Sequence, residues 1–122
     1  MKIRINGNSL RIRLSQSEIV TLVHQNEVSS ACQFVNERLT YTLKQGDYPH
    51  LTADFIEGVI TVYIPGSFVQ DWDKNETIGF DGKDTSGLYL LIEKDFQCLK
   101  PRHHEDESDL FPNPQSTLSS YD

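Results

Sequence analysis

The stretch that most constrains the fold is Lys2-Ile-Arg-Ile-Asn-Gly-Asn-Ser-Leu-Arg-Ile-Arg-Leu14, where apolar and basic side chains alternate on either side of an Asn/Gly turn. Alternation of period two marks a strand with one buried face, and two such runs around Asn-Gly mark a β-hairpin. A two-residue loop at Gly7-Asn8 pairs Ile5 with Leu10, Arg4 with Arg11, Ile3 with Ile12 and Lys2 with Arg13. A loop at Asn6-Gly7 pairs Ile3 with Leu10 and Lys2 with Arg11 instead. Both keep Ile3, Ile5, Leu10, Ile12 and Leu14 on one face. A three-residue loop would mix the faces and is disfavoured. Either register gathers Lys2, Arg4, Arg11 and Arg13 on the opposite face, where facing like charges cost roughly 0.2–1 kcal/mol per pair. A solvated face is the ordinary reading, because exposed charges are the norm. The sharper one is a surface for an acidic segment or a small anionic ligand.

The hairpin runs straight into a helix. Ser15 and Glu18 form the S-x-x-E capping box, Leu14 and Ile19 are placed for the hydrophobic staple, and Ile19, Leu22 and Val23 make a stripe at helical spacing. The helix should end near Gln25 or Asn26, with His24 in its last turn, where the dipole favours a cation. A second hairpin has arms Ser30–Val35 and Leu39–Leu43 around a turn at Asn36-Glu37, and Cys32 shares parity with Phe34, which predicts a core thiol. A third turns through Glu57-Gly58 between Leu51–Ile56 and Val59–Ile64. Ser67 is expected to cap a short helix with Phe68, Val69 and Trp72 inward. Thr77–Phe80 is a short strand, Asp81–Gly87 a polar loop without the Lys-Ser/Thr of a P-loop, and Leu88–Glu93 a central strand apolar on both faces.

These elements predict an α+β fold: one curved, mostly antiparallel sheet of seven or eight strands, strongly bent or partly closed into a barrel, with two short helices. In a chain of 122 residues this is a single globular domain over 1–98, followed by a Pro-containing acidic tail over 99–122. Net charge is -7, divided as +3 over residues 1–45 and -10 over 46–122. The halves attract each other, and the acidic excess argues against nucleic acid as a partner. The longest apolar run, Val59–Ile64, is too short to span a bilayer, and the N-terminus opens on a strand where a signal peptide would need an apolar segment. Two cysteines make no disulfide framework, so reduced thiols in a cytoplasmic protein are expected.

Chemistry-bearing groups concentrate in the tail: Cys98, Arg102, His103, His104 and the carboxylates of Glu105, Asp106, Glu107 and Asp109. Cys98, His103, His104 and Glu105 could offer zinc its borderline ligands, but C-x4-H-H matches no common zinc signature and no second Cys/His pair is present. Cys98 with a histidine could be a nucleophile and base, yet nothing marks an oxyanion hole and Pro101 lies between them. G-x-S-x-G and H-E-x-x-H are absent, so no enzyme and no cofactor are expected. Leu110 and Phe111 give the tail apolar surface with which to pack on the body, while its acids could choose the docking place or reach an outside partner.

The opening Met1–Glu18, the Tyr63-Ile-Pro65 with Trp72 after it, and the ending Glu93-Lys-Asp-Phe-Gln-Cys-Leu99 followed by Glu105-Asp-Glu-Ser-Asp109 and Phe111-Pro-Asn-Pro114 together resemble a family of small uncharacterised bacterial proteins, a domain of unknown function. The resemblance spans nearly the whole chain and implies a bacterial cytoplasmic protein with no activity to carry over. The histidine pair is not a fixed feature of that pattern. The leading reading is a non-enzymatic binding or interaction module. The alternatives are a small metal-binding protein and an anion-binding partial barrel with the four hairpin cations pointing inward.

Overall fold

In the computed structural model, which describes residues 1–98 and 106–114, eight strands and two helices follow in the order β1 (Lys2–Asn6), β2 (Ser9–Leu14), α1 (Gln16–Gln25), β3 (Glu27–Gln33), β4 (Arg38–Gly46), β5 (Thr52–Ile56), β6 (Val59–Pro65), α2 (Gly66–Val69), β7 (Gly79–Lys83) and β8 (Tyr89–Lys94). The three hairpins expected from the alternating pattern form, and β7 and β8 pair as a fourth. The first takes the Gly7-Asn8 register, with Ile5 opposite Leu10, Arg4 opposite Arg11, and Gly7 at φ +57. The left-handed position is one that glycine tolerates freely.

The expected single curved sheet is corrected: the strands form two four-stranded sheets, β1-β2-β8-β7 and β3-β4-β6-β5, neither of them closed. The reason lies in how the hairpins join. The first and last meet through the parallel pair β2·β8, and the middle two through the parallel pair β4·β6. Helix α1 carries the chain out of the first sheet, the second sheet is completed, and only then does the chain return. Period-two patterning fixes which face of a strand is buried but not which hairpin its edge meets.

The inner faces of both sheets share one core. Leu10, Ile12, Leu14, Leu90 and Ile92 come from the first sheet and Tyr41, Leu43, Ile60, Val62 and Ile64 from the second, joined by Ile19 and Leu22 of α1 and by Trp72. Burying a side chain of this size contributes about 1.5–3 kcal/mol, so this cluster is the main source of stability. The start of α1 is built as its sequence specifies. Ser15 Oγ accepts from Glu18 N at 3.4 Å, and Ser15 N donates to Glu18 Oε1 at 2.8 Å, while Leu14 and Ile19 are fully buried.

Three local expectations are corrected. The α2 helix begins at Gly66, one residue before Ser67, so the serine makes no cap; Phe68 is partly exposed, although it stacks edge-on to Phe80 at 5.5 Å. The short strand lies later than Thr77–Phe80, running through Lys83 and shrinking the polar loop to a turn. There Asp84 accepts from Ser86 Oγ at 2.5 Å, Ser86 N at 2.9 Å and Leu88 N at 3.1 Å. Cys32 does face the core side, as its parity requires, but it is exposed, because the outer half of β3 runs past the end of the core.

Candidate functional site

The four hairpin cations lie together on the outer face of the first sheet, opposite Leu10, Ile12 and Leu14. The inward-pointing arrangement of the barrel reading is therefore corrected: these side chains line shallow surface clefts of about 190 and 210 Å³ that share Arg4 and Arg11. The face is also largely answered from within the fold. Parallel pairing sets Arg11 and Arg13 beside Leu91 and Glu93, and both guanidinium groups donate to Glu93 Oε1, at 2.5 and 3.1 Å. Lys2 Nζ stands 3.0 Å from the buried Asp95. Arg4 has no ion pair among the described residues.

The described part of the tail, residues 106–114, engages a different place. Asp109 sits over the first turn of α1, whose N–H groups have no intrahelical partner. Gln16 N donates to Asp109 O at 2.9 Å and Ser17 N to Asp109 Oδ1 at 3.2 Å, while the Ser17 hydroxyl donates to Oδ2. That hydroxyl bond is the main cause holding the Asp109 carboxyl below the usual range. Leu110 is buried, and Phe111 bridges to Phe96, with Phe111 N donating to Asp95 O at 2.9 Å and Gln97 N to Phe111 O at 2.7 Å. Lys94 completes this contact. Its ammonium lies 5.0 Å from the Phe111 ring centroid and donates to Asn75 O at 2.7 Å. Burial pushes its pKa down, opposed by Glu76 and Asp73. A cleft of about 610 Å³ runs past it, between Ile78, Phe96, Phe111 and Pro112.

Of the metal candidates only Cys98 is among the described residues; His103, His104 and Glu105 lie outside them. Cys98 N donates to Glu107 Oε1 at 3.0 Å, and Cys98 itself is exposed. Among the described residues no three His, Cys, Asp or Glu side chains come together.

Sequence reasoning missed the feature with the most unmet chemistry. The parallel pairs place the β1–β2 and β7–β8 turns at one end of the first sheet, and the β3–β4 and β5–β6 turns at one end of the second. Ile5, Leu10 and Leu88 from the first pair of turns and Leu39, Phe55 and Ile60 from the second line one cleft, so the two ends coincide. At this common end the core opens. Ile5 and Phe55 lie on the core-facing side of their strands and Phe34 follows β3 at the same parity, yet they are 62%, 67% and 54% exposed. Ile5 and Phe55 rim an apolar cleft of about 450 Å³ whose lining includes Leu10, Leu39, Ile60 and Leu88. A second cleft of about 260 Å³, between Phe34, Arg38 and Gly58, shares Leu39 and Phe55 with the first, so the two form one groove. Val35 and Ile56 stand exposed on the adjoining turns. The opposite end, by contrast, is closed by α1 and the docked tail. The missed signal was the position of Ile5, Phe34 and Phe55 at hairpin tips, because parity cannot show where the facing sheet stops.

Two open sheets over one core, closed by a helix and a tail segment at one end and open through apolar clefts at the other, define a small two-layer α+β protein. The chain belongs to DUF7009, a family of unknown function, whose family model matches residues 1–115. No curated protein and no solved structure matches it. None of the helices among the described residues is long and apolar enough to cross a membrane.

Proposed function

We propose that this protein is a non-enzymatic binding module that takes an apolar segment of a partner protein into the groove at its open end. The observation that carries this reading is the exposure of Ile5, Phe34 and Phe55 around two adjoining clefts that share Leu39 and Phe55. A two-layer fold ordinarily covers such positions, and grouped exposed apolar residues rimmed by polar ones mark interaction sites. Polar groups at the rim, Asp54 in one cleft and Glu37 and Arg38 in the other, give the groove fixed points for orientation. Aromatic side chains such as Phe34 and Phe55 are the residue type that anchors interfaces. The net charge of -7 disfavours nucleic acid as the partner, and a bacterial cytoplasmic setting is part of the same proposal.

The test is titration with an apolar fluorophore such as anilinonaphthalene sulfonate under native conditions. The wild-type chain should give saturable enhancement, and Phe34→Ser with Phe55→Ser should weaken it at least tenfold while the melting temperature holds. Equal enhancement in the double variant would sink the reading. A second reading, metal binding at Cys98, draws on one described group. Among the described residues Oε2 of the buried Glu107 has no hydrogen-bond partner, and its other oxygen is tied to the Cys98 backbone. Native mass spectrometry before and after a chelator decides it.

A further inference from the structure

The β3 edge is the second unmet demand of this fold. Strand β3 is terminal in its sheet, bonded to β4 on one side only. The direction of its backbone groups follows from three bonds. Phe34 N donates to Glu37 O and Gln45 N to Asn26 O, while Thr40 N donates across to Gly58 O. In an antiparallel pair, hydrogen-bonded and non-bonded residue pairs alternate. Val28, Ser30 and Cys32 therefore turn their backbone groups to β4, and Ser29, Ala31 and Gln33 turn theirs outward to the open edge.

Edges are usually protected by charge, proline, a bulge or a covering element. Here the run Val28-Ser-Ser-Ala-Cys-Gln-Phe-Val35 carries no charge and no proline, and residues 31–35 are exposed. We infer that the β3 edge pairs with the β3 edge of a second copy, making an antiparallel, two-fold contact and one continuous eight-stranded sheet. A second copy is the occupant the observations favour, because the run is self-complementary. A two-fold pairing of this strand must set some residue opposite itself. Centred on Cys32, it places Phe34 opposite Ser30 and Val35 opposite Ser29, large against small at each step. Centred on Ala31, it would set Phe34 opposite Val28, whose side chain is already buried in the core. The first register wins. It makes Ala31 and Gln33 the hydrogen-bonded partners and Cys32 a non-bonded pair with its own copy. The Cα separation of such a pair, about 4.5 Å, falls within the range that a disulfide spans.

The experiment uses the full chain, with Cys98→Ser to leave one thiol. Sedimentation should show a concentration-dependent dimer. Diamide, which removes two electrons and two protons from two thiols and is itself reduced to the hydrazine, should then join the copies through one Cys32–Cys32 bond. Ala31→Pro removes an outward N–H while leaving the β4 ladder intact, and should raise the dimer dissociation constant at least tenfold. Gln33→Lys should do the same by placing two like charges at the contact, and serves where the proline variant fails to fold. A wild-type chain that sediments as a monomer at several hundred micromolar would overturn the inference. So would a dimer that both variants leave intact. Ala31→Pro changes no groove residue, so fluorophore binding should persist in it; Gln33→Lys gives up bonds to Phe34 O and Arg38 Nε and is read for dimer loss alone, which keeps loss of dimer separable from loss of the groove.

Discussion

Removal of the two apolar anchors of the tail, Leu110→Ala with Phe111→Ala, should destabilise the whole domain. Leu110 is 8% exposed, and truncating a buried leucine to alanine costs roughly 2–5 kcal/mol. Phe111 is only partly buried, but it packs on the core cluster, tilts against Phe96 at a centroid distance of 5.9 Å and lies under the Lys94 ammonium. Its loss adds about 1.5–3 kcal/mol of transfer free energy. The backbone bonds of the segment can survive, since Asp109 still caps α1 and Phe111 N still faces Asp95 O. The double variant should therefore lose about 3.5–8 kcal/mol out of a total that for a domain is about 5–15 kcal/mol. Urea denaturation followed by Trp72 fluorescence reads this directly, because the indole is fully buried and donates to Thr77 O at 2.8 Å. The salt dependence should be slight, since the anchor is apolar. A midpoint shift equivalent to less than about 1 kcal/mol, against the per-residue figure for buried leucine, would show that the tail merely rests on the body.

Other outcomes follow from single groups. Ser15→Ala should cost about 1 kcal/mol by removing one half of the capping box, measured by the same denaturation; a neutral result would mean that Asp109 alone secures the helix start. Gly79→Ala should cost about 1–3 kcal/mol, because an added Cβ would come within 2.7 and 2.8 Å of Glu93 Cβ and Cα and force β7 away from β8. Wild-type stability in that variant would contradict the close approach of the two strands. Acid should weaken the fold through Asp84 and Asp109, held low chiefly by Ser86 and Ser17 respectively. Their folded values lie below the unfolded value of about 3.9, so their contribution is present above that pH and is lost as pH falls through the folded values. A melting temperature flat from pH 5 to pH 2 would refute it.

Much of the fold was legible because local rules act within a hairpin or a helical turn. The Ile/Arg alternation of residues 2–14 gave the strand faces, and the Gly7-Asn8 register was one of two it allowed. The Ser15 and Glu18 pair gave the helix start, and Asn26, at φ +68, ends it within the expected residues. The sheet order was not legible, because the parallel contacts β2·β8 and β4·β6 join segments far apart in sequence, and any buried strand of matching parity satisfies the same pattern. The partners of Arg11 and Arg13 were hidden for that reason: Glu93 reaches them only once β8 lies beside β2. The groove was hidden for a related one. Phe34, Phe55 and Cys32 have the parity of core residues, and their exposure depends on how far the opposite sheet extends.

Whether the open apolar end is the working surface is decided by selecting binders from a displayed peptide library and remeasuring them against two variants. Enriched peptides should carry at least two large apolar side chains. They should bind the wild-type chain at least tenfold more tightly than the Phe34→Ser, Phe55→Ser variant, with no loss on Arg4→Ala, Arg11→Ala. Enrichment of acidic peptides that bind the Phe variant normally and fail on the Arg variant would contradict it, and would assign the working surface to the basic face of the first hairpin.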